Sequence, residues 1–311
     1  MQKITIRMNG VEPAYQREFG CSCARCTEER PRAHTSASIF VDSWGGVRGT
    51  REHHFLVDCG SGVCDSLIEK GVSFVSAVLA THGHLDHVVE LPFLGESLLR
   101  NGTDAPIPLF ATDEMFHSGP GRMFGWLFPK AFEHRPVEPG LSIELGPLCV
   151  RAVPVWHGPS APGSVIWVLE FGSESRRTKV VLGWDLLHLI PCYEGDDRDE
   201  VYDGEVRQGP SIDPRHECLV GADDFFVAAN TVTPCPRTGH ISLDAILRSI
   251  VPRFRPKRLW LVHISSHEDP LGPLSDSDLQ VMVDEEKRRH GLCDQHIQIA
   301  KHGMERVYLI D

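Results

Sequence analysis

The chain has 311 residues, 41% of them hydrophobic, enough to bury a substantial core in one large α/β domain or two small ones. Its formal charge of −12, from 43 acidic against 31 basic residues, argues against a surface that grips long nucleic acid by counterion release, and favours a small substrate. The first ten residues hold no apolar signal core and no later stretch approaches the roughly 20 apolar residues of a membrane span, which predicts a cytoplasmic protein. In a reducing compartment its ten cysteines are expected as thiols or metal ligands.

Short β-rich runs fall at Ile4 to Met8, Ser38 to Val41, His54 to Val57, Phe74 to Ala80 and Leu148 to Val155. They continue at Val165 to Phe171, Lys179 to Leu182, Phe225 to Ala229, Arg258 to Ile264 and Arg306 to Ile310. Helical spacing covers 61–70, 87–100, 242–251 and 275–290, the last opening Ser275-Asp-Ser-Asp before an acidic first turn. Strands and helices interleave without a regular β-α-β-α rhythm, so a mixed-sheet sandwich flanked by helices is expected, as a single domain over 1–311. Two stretches read as insertions. Residues 113–140 carry Met115, Phe116, Met123, Phe124, Trp126, Leu127, Phe128 and Phe132 among Gly and Pro: a satellite hydrophobic cluster, or an active-site lid that would serve equally as a homodimer contact. Residues 193–223, polar and acidic, read as a surface loop.

Residues 81–87, Thr-His-Gly-His-Leu-Asp-His, carry the strongest chemical signal. They follow the apolar run Ser73 to Ala80, so they sit at a strand end. A sharp turn there would aim His82 and His84 at one cation and Asp86 and His87 at a second, since imidazole and carboxylate both ligate zinc-like ions and unpaired buried imidazoles are costly. His157, Asp185 and His263 each close an apolar run and supply the remaining ligands, with Asp185 placed to bridge two cations; Asp196 and Asp197 are the alternatives to Asp185. Cys21, Cys23 and Cys26, spaced by two and three, are compact enough to share one tetrahedral zinc, or are unmetallated thiols. His267 is the fourth ligand such a zinc would need.

This ligand order resembles the metallo-β-lactamase superfamily, whose His-x-His-x-Asp-His loop, later His, bridging Asp and final His match residues 82–87, 157, 185 and 263 over nearly the whole chain. The resemblance implies a four-layer αββα sandwich with two metals at one edge of its sheets, and gives Asp58 the role of supporting the metal loop. Trp184 stands where the superfamily has a small residue. The cysteine cluster with His267 narrows the resemblance to the branch of phosphoribosyl 1,2-cyclic phosphate phosphodiesterases (PhnP-like), where those four residues hold a structural zinc. This chain is longer, with a one-residue difference in the spacing to His267.

The function expected is therefore a metal-dependent phosphodiesterase cleaving a small cyclic or nucleotide-like phosphate through a water activated by two divalent ions, zinc, manganese or iron. His240, in Thr238-Gly-His just before a helix, is the candidate acid at the leaving group, as the corresponding histidine of ribonuclease Z and the cyclic phosphodiesterases implies, and Asp86 acts beside it in catalysis. Arg122, Lys130, Arg135 and Arg237 are candidate phosphate contacts. The alternatives are a metallohydrolase of lactones, thioesters or amides, and a metal-binding module without turnover.

Overall fold

The computed structural model describes residues 2–43, 50–103, 106–125, 128–186, 214–233, 235, 240–265, 267, 269 and 274–310. In chain order these form β1 (Gln2–Gly10), α1 (Ala24–Thr27), β2 (Ser36–Ser43), β3 (Thr50–Val57), α2 (Val63–Glu69) and β4 (Ala77–Leu79). Then come α3 (Leu85–Val88), α4 (Leu91–Arg100), β5 (Ile107–Ala111), α5 (Asp113–Ser118), α6 (Pro120–Met123) and α7 (Phe128–Ala131). Six strands follow before the last helices: β6 (Phe132–Pro136), β7 (Ser142–Leu145), β8 (Leu148–Pro154), β9 (Val165–Ser173), β10 (Arg176–Gly183) and β11 (Asp224–Ala228). The chain closes with α8 (Leu243–Ala245), α9 (Val251–Phe254), β12 (Arg258–Val262), α10 (Asp276–Arg289), β13 (His296–Ile299) and β14 (Glu305–Ile310).

Two seven-stranded sheets result, ordered β14-β1-β2-β3-β4-β5-β6 and β13-β12-β11-β10-β9-β8-β7. Each is mixed. In the first, β14, β1, β2 and β3 pair antiparallel and β3 to β6 parallel; in the second, β7 to β10 pair antiparallel and β10 to β13 parallel. The inner faces interdigitate through Ile4, Ile6, Val41, Trp167, Leu182 and Phe226, all fully buried. On the outer faces α2 and α4 cover the first sheet, while α8, α9 and α10 cover the second. Each aliphatic side chain buried this way contributes about 1.5–3 kcal/mol. The layers are helix, sheet, sheet, helix, as the sequence implied.

Local chemistry explains the helix positions. In α4, Leu91, Leu94 and Leu98 share one apolar stripe and Pro92 lies in the first turn, where its missing N–H costs nothing. In α10, Ser275 accepts from the Asp278 N–H while the Asp278 carboxylate takes the Ser275 N–H, a reciprocal cap. Between α8 and α9 the helix passes through one π turn, Ile246–Ile250.

Several boundaries differ from expectation. Only Ala77–Leu79 of the run at 74–80 is strand. β12 stops at Val262, so His263 lies in the turn beyond the strand rather than inside it. Of 113–140 the described residues form α5, α6, α7 and the edge strand β6, with Trp126 and Leu127 lying outside them: Thr112 caps α5 by accepting from the Met115 N–H, and Pro120 starts a new helix. Of 193–223 only 214–223 is described; there a 3-10 turn, Pro214–Leu219, buries His216 and Leu219 completely. Asp196, Asp197 and Arg237 lie outside the described residues.

Candidate active site

The candidate ligands converge beyond the C-terminal ends of β4, β8, β10 and β12, with the supporting Asp58 at the end of β3. Three leave their strands through a left-handed residue: Asp58 at φ 58°, Asp185 at 54° and His263 at 56°. A left-handed step turns the chain sharply, so a side chain that would have alternated across the sheet points along its edge. The metal loop between β4 and α3 is held from behind by Gly83, whose missing side chain lets the backbone of Gly119, at the α5–α6 corner, lie against it. A Cβ on Gly83 would sit 3.3 Å from Gly119 Cα. The segment 113–123 is therefore docked onto the loop that carries the ligands.

Two donor sets form. Those of His82, His84 and His157 lie within 4.8 Å of one another, as do those of Asp86, His87, Asp185 and His263. Asp185 touches both: its Oδ2 is 2.7 Å from His87 Nε2, 3.3 Å from His263 Nε2 and 3.5 Å from His82 Nε2. Asp86 Oδ2 is 3.2 Å from His87 Nε2 and 3.4 Å from His263 Nε2, and His157 Nε2 is 3.2 Å from His84 Nδ1. Apart from Asp86 and His84 these residues are almost completely buried.

Hydrogen bonds orient the ligands. Asp58, 1% exposed, accepts on Oδ1 from the Thr81 N–H (2.8 Å) and on Oδ2 from Thr81 Oγ1 (2.6 Å), His87 Nδ1 (2.8 Å) and Trp184 Nε1 (2.7 Å). Donating to Asp58 from Nδ1, His87 turns Nε2 to the centre, the atom a cation would take. Thr81 Oγ1 spends its hydrogen on Asp58 and so accepts from His82 Nδ1 at 3.0 Å, leaving His82 Nε2 bare. His84 places Nε2 3.0 Å from Ser160 Oγ and turns Nδ1 inward. Burial, then the neighbouring His87 and His157, push the His82 pKa well below its usual value, so the ring is neutral. Burial raises the Asp185 pKa, but His263 and His87 outweigh it and hold the carboxylate ionised.

These residues fit divalent ions. Buried polar atoms are normally hydrogen-bonded, and an orphan costs about 1–3 kcal/mol. Yet His82 Nε2, His87 Nε2 and both oxygens of Asp185 are buried without a hydrogen-bond partner, and the two nitrogens stand 3.5 and 2.7 Å from Asp185 Oδ2. A cation accepts what no hydrogen bond takes. The donor set of imidazoles and carboxylates suits zinc, manganese or iron.

His240 sits beside them, its ring centroid 4.7 Å from His157 and 5.0 Å from His263, with Nδ1 3.9 Å from Asp185 Oδ1. Burial pushes it down to about 4. Arg135 pairs with Glu133 at 2.7 Å, while Lys130 and Arg122 are exposed.

A separate cluster lies beyond β12. Cys21, Cys23 and Cys26 place Sγ 3.4, 3.3 and 3.3 Å from His267 Nε2. A tetrahedral zinc with Zn–S near 2.3 Å and Zn–N near 2.0 Å spaces sulfur and nitrogen by about 3.5 Å, so the four residues already stand at ligand separations. Burial raises the Cys23 thiol, but the Cys26 backbone and the Cys21, His267 and Cys26 side chains bring it down to about 6.

Paired mixed sheets with histidines and aspartates gathered at one edge define a metallo-β-lactamase-type fold. The chain belongs to the β-lactamase superfamily: residues 53–264 match the family described as "Beta-lactamase superfamily domain". A curated relative, the ribonuclease Z of Bradyrhizobium sp. (strain ORS 278), is 33% identical over 150 residues, covering 44% of this chain and 42% of that protein. The chain thus matches less than half of that relative's length. Among solved structures, a diphosphatase of the PhnP family superposes with TM-score 0.68 at 22% identity, covering 99% of this chain and 98% of that one. The metallo-β-lactamase fold protein YhfI of Bacillus subtilis superposes with TM-score 0.64 at 15% identity, covering 98% of this chain and all of that one. At these identities both establish the shared fold alone. The family uses divalent metals.

Ser160 and the indole of Trp184 are site residues that were not legible as such in the sequence. A serine in a Gly-Pro-Ser-Ala-Pro loop carries no motif, and a tryptophan after an apolar run reads as core.

Proposed function

We propose that the protein is a metal-dependent phosphodiesterase acting on a small phosphorylated substrate. One observation carries this reading: two sets of inward-facing donors share the single carboxylate of Asp185. His82, His84 and His157 would hold one ion, Asp86, His87 and His263 the other, with Asp185 between them. The ions, when bound, would lower the pKa of a water to near neutrality and offset charge on the phosphoryl oxygens. Asp58, through His87, fixes which ring nitrogen faces inward. Asp86 is held ionised: burial raises its pKa, but His87 and His263 pull it well below the usual range, so the carboxylate stays anionic and can orient the attacking water by accepting its hydrogen bond. His240 enters as a neutral ring at the edge of the donor sets, where an N–H can be presented to the departing oxygen, and an anionic substrate beside it would raise its pKa toward neutrality.

Cys21, Cys23, Cys26 and His267 would hold a structural zinc, which fits a reducing, cytoplasmic setting. No helix among the described residues is long and apolar enough to cross a membrane. The segment 113–140, docked on the metal loop through Gly119, would shape the substrate pocket and could contribute to a homodimer contact. The similarity to ribonuclease Z raises an RNA substrate as the second reading; the net charge of −12 counts against it.

The test is hydrolysis of bis(p-nitrophenyl) phosphate, with a short RNA and a thioester or lactone panel alongside, by protein loaded with Mn2+ or Zn2+. His82→Ala and Asp185→Ala should each lower diester turnover by roughly three orders of magnitude, the several kcal/mol such ions supply. Turnover that survives both substitutions would sink the assignment.

A further inference from the structure

The Asp58 carboxylate joins the two sheets at the site. It grips His87 and Thr81 on the first sheet's side, at 2.6–2.8 Å, and on the second sheet's side it accepts from the indole N–H of Trp184 at 2.7 Å. Trp184 lies between Gly183, the last residue of β10, and Asp185, which holds the left-handed φ of 54°. The indole is completely buried between the sheets, so its N–H reaches Asp58 from a ring that cannot swing away. Asp185 in turn stands 2.7 Å from His87 Nε2, the ring whose other nitrogen Asp58 holds. A closed circuit results: Asp58 to His87, His87 to Asp185, Asp185 through the backbone to Trp184, and Trp184 back to Asp58. His84 is oriented by Ser160, and His82 by the Thr81 hydroxyl, which shares Asp58 Oδ2 with the indole.

We infer that Trp184 is a positioning residue: its indole N–H, bonded to Asp58, sets the Asp185 carboxylate against His87. The donors of Asp86, His87, Asp185 and His263 thereby stay matched to one ion. A residue without a ring N–H at this position would leave Asp185 held by the strand end alone, and Asp58 with one donor fewer. The inference rests on the two-ion reading of the site. Its consequence falls on the active-site ions, because Asp185 faces both donor sets and Asp58 Oδ2 also holds the Thr81 hydroxyl that orients His82, and it leaves the cysteine site untouched.

Two variants test it, Trp184→Phe and the replacement of Trp184 by benzothienylalanine, which exchanges only the N–H for sulfur and so survives if the phenylalanine variant fails to fold. Zinc is titrated against a competing chelator and the stepwise affinities compared with the wild type. Losing a hydrogen bond that orients a metal ligand costs about 10–100-fold in affinity. The expected result is a fall of that size at one or both active-site positions, and no change for the ion at Cys21, Cys23, Cys26 and His267, which serves as the internal control. Unchanged affinity at both active-site positions overturns the inference, and so does an equal fall at all three, which would mark a general loss of structure. If the wild type itself binds zinc only at the cysteines, the two-ion reading falls and this inference with it, an outcome distinguishable from a wild type that binds all three ions alongside an unaffected variant.

Discussion

Left-handed backbone at non-glycine residues costs on the order of 1–3 kcal/mol per residue and survives only where its surroundings enforce it. Among the described residues four non-glycines adopt it, and three of them are Asp58, Asp185 and His263. Each is held: Asp58 by four donated hydrogen bonds, Asp185 through Trp184, and His263 by its N–H donating to Val11 O at 2.9 Å. Strain at a few points is thus exchanged for donors that face one centre. Away from the site, His54 shows what burial alone does to a histidine. It is completely buried, 2.7 Å from Phe74 O and 2.9 Å from Ser38 Oγ. Burial pushes its pKa down to about 4; the bond to Phe74 opposes this and Arg51 adds to it. Above about pH 6.5 the ring is neutral in both folded and unfolded chains. As the pH falls, the unfolded chain takes up the proton first, so the folded state loses roughly 1.4 kcal/mol per pH unit until the folded ring also titrates near pH 4. Urea melts of the wild type at pH 7 and pH 5 should differ by that component. In His54→Asn the difference should shrink by roughly 1–2 kcal/mol, and an unaltered pH dependence would refute the assignment to His54.

At the scale of elements, the cysteine loop ties the chain's beginning to the segment behind β12. Arg25, between Cys23 and Cys26, donates to Glu12 at 3.2 Å and to Ile264 O at 3.0 Å, next to His263. The proposed zinc at Cys21, Cys23, Cys26 and His267 would join this loop to the strand end that carries His263, and its affinity would then add to folding free energy. Cys23→Ser should remove one zinc per chain and lower the melting temperature by roughly 5 °C or more. The histidines and aspartates of the active site should remain titratable with metal; unchanged zinc content in this variant would refute a structural site. Much of this arrangement was legible in the sequence because metal ligation needs specific residue types at specific spacings. The run 82–87, the strand-end residues His157, Asp185 and His263, and the cysteine triplet all carried that mark. The strands β5, β6, β7 and β13 did not. Pro108 interrupts β5, β7 and β13 are only four residues long, and β6 lies within aromatic, Gly- and Pro-bearing sequence whose period is neither 2 nor 3.6. Such strands are specified by the neighbours they pair with. Long-range hydrogen bonds, such as those of Trp184 to Asp58 and Ser160 to His84, leave no local pattern either.

On the scale of the whole molecule, the two sheets must be held in register at the end away from the site as well as at it. β10, β11 and β12 run parallel, and the donors cluster at the C-terminal ends of β10 and β12; Asp224, the first residue of β11, is therefore at the opposite end. It is completely buried and accepts from Arg258 at 2.7 and 2.6 Å, Trp260 Nε1 at 2.6 Å and, from β14 of the other sheet, the Tyr308 hydroxyl at 2.5 Å. Arg306, also on β14, stands 3.3 Å away and lies over the Trp260 ring. Burial, then the Asp224 carboxylate, push the Tyr308 phenol far above its usual pKa, which keeps its proton in the bond between the sheets. Removing the carboxylate takes the shared acceptor from two partly exposed guanidiniums and two neutral donors. Losing the acceptor of such a network costs about 1–3 kcal/mol where the charged donors keep access to water. Asp224→Ala should therefore lower unfolding free energy by that amount in denaturant melts. Metal content and turnover per folded molecule should stay within about twofold of the wild type, because the donor sets are held by Asp58, Thr81 and Trp184 at the other end of the strands. A matching loss of metal from the folded variant would show instead that the register of the sheets, and not the hydrogen bonds at the site, is what brings Asp185 to His87.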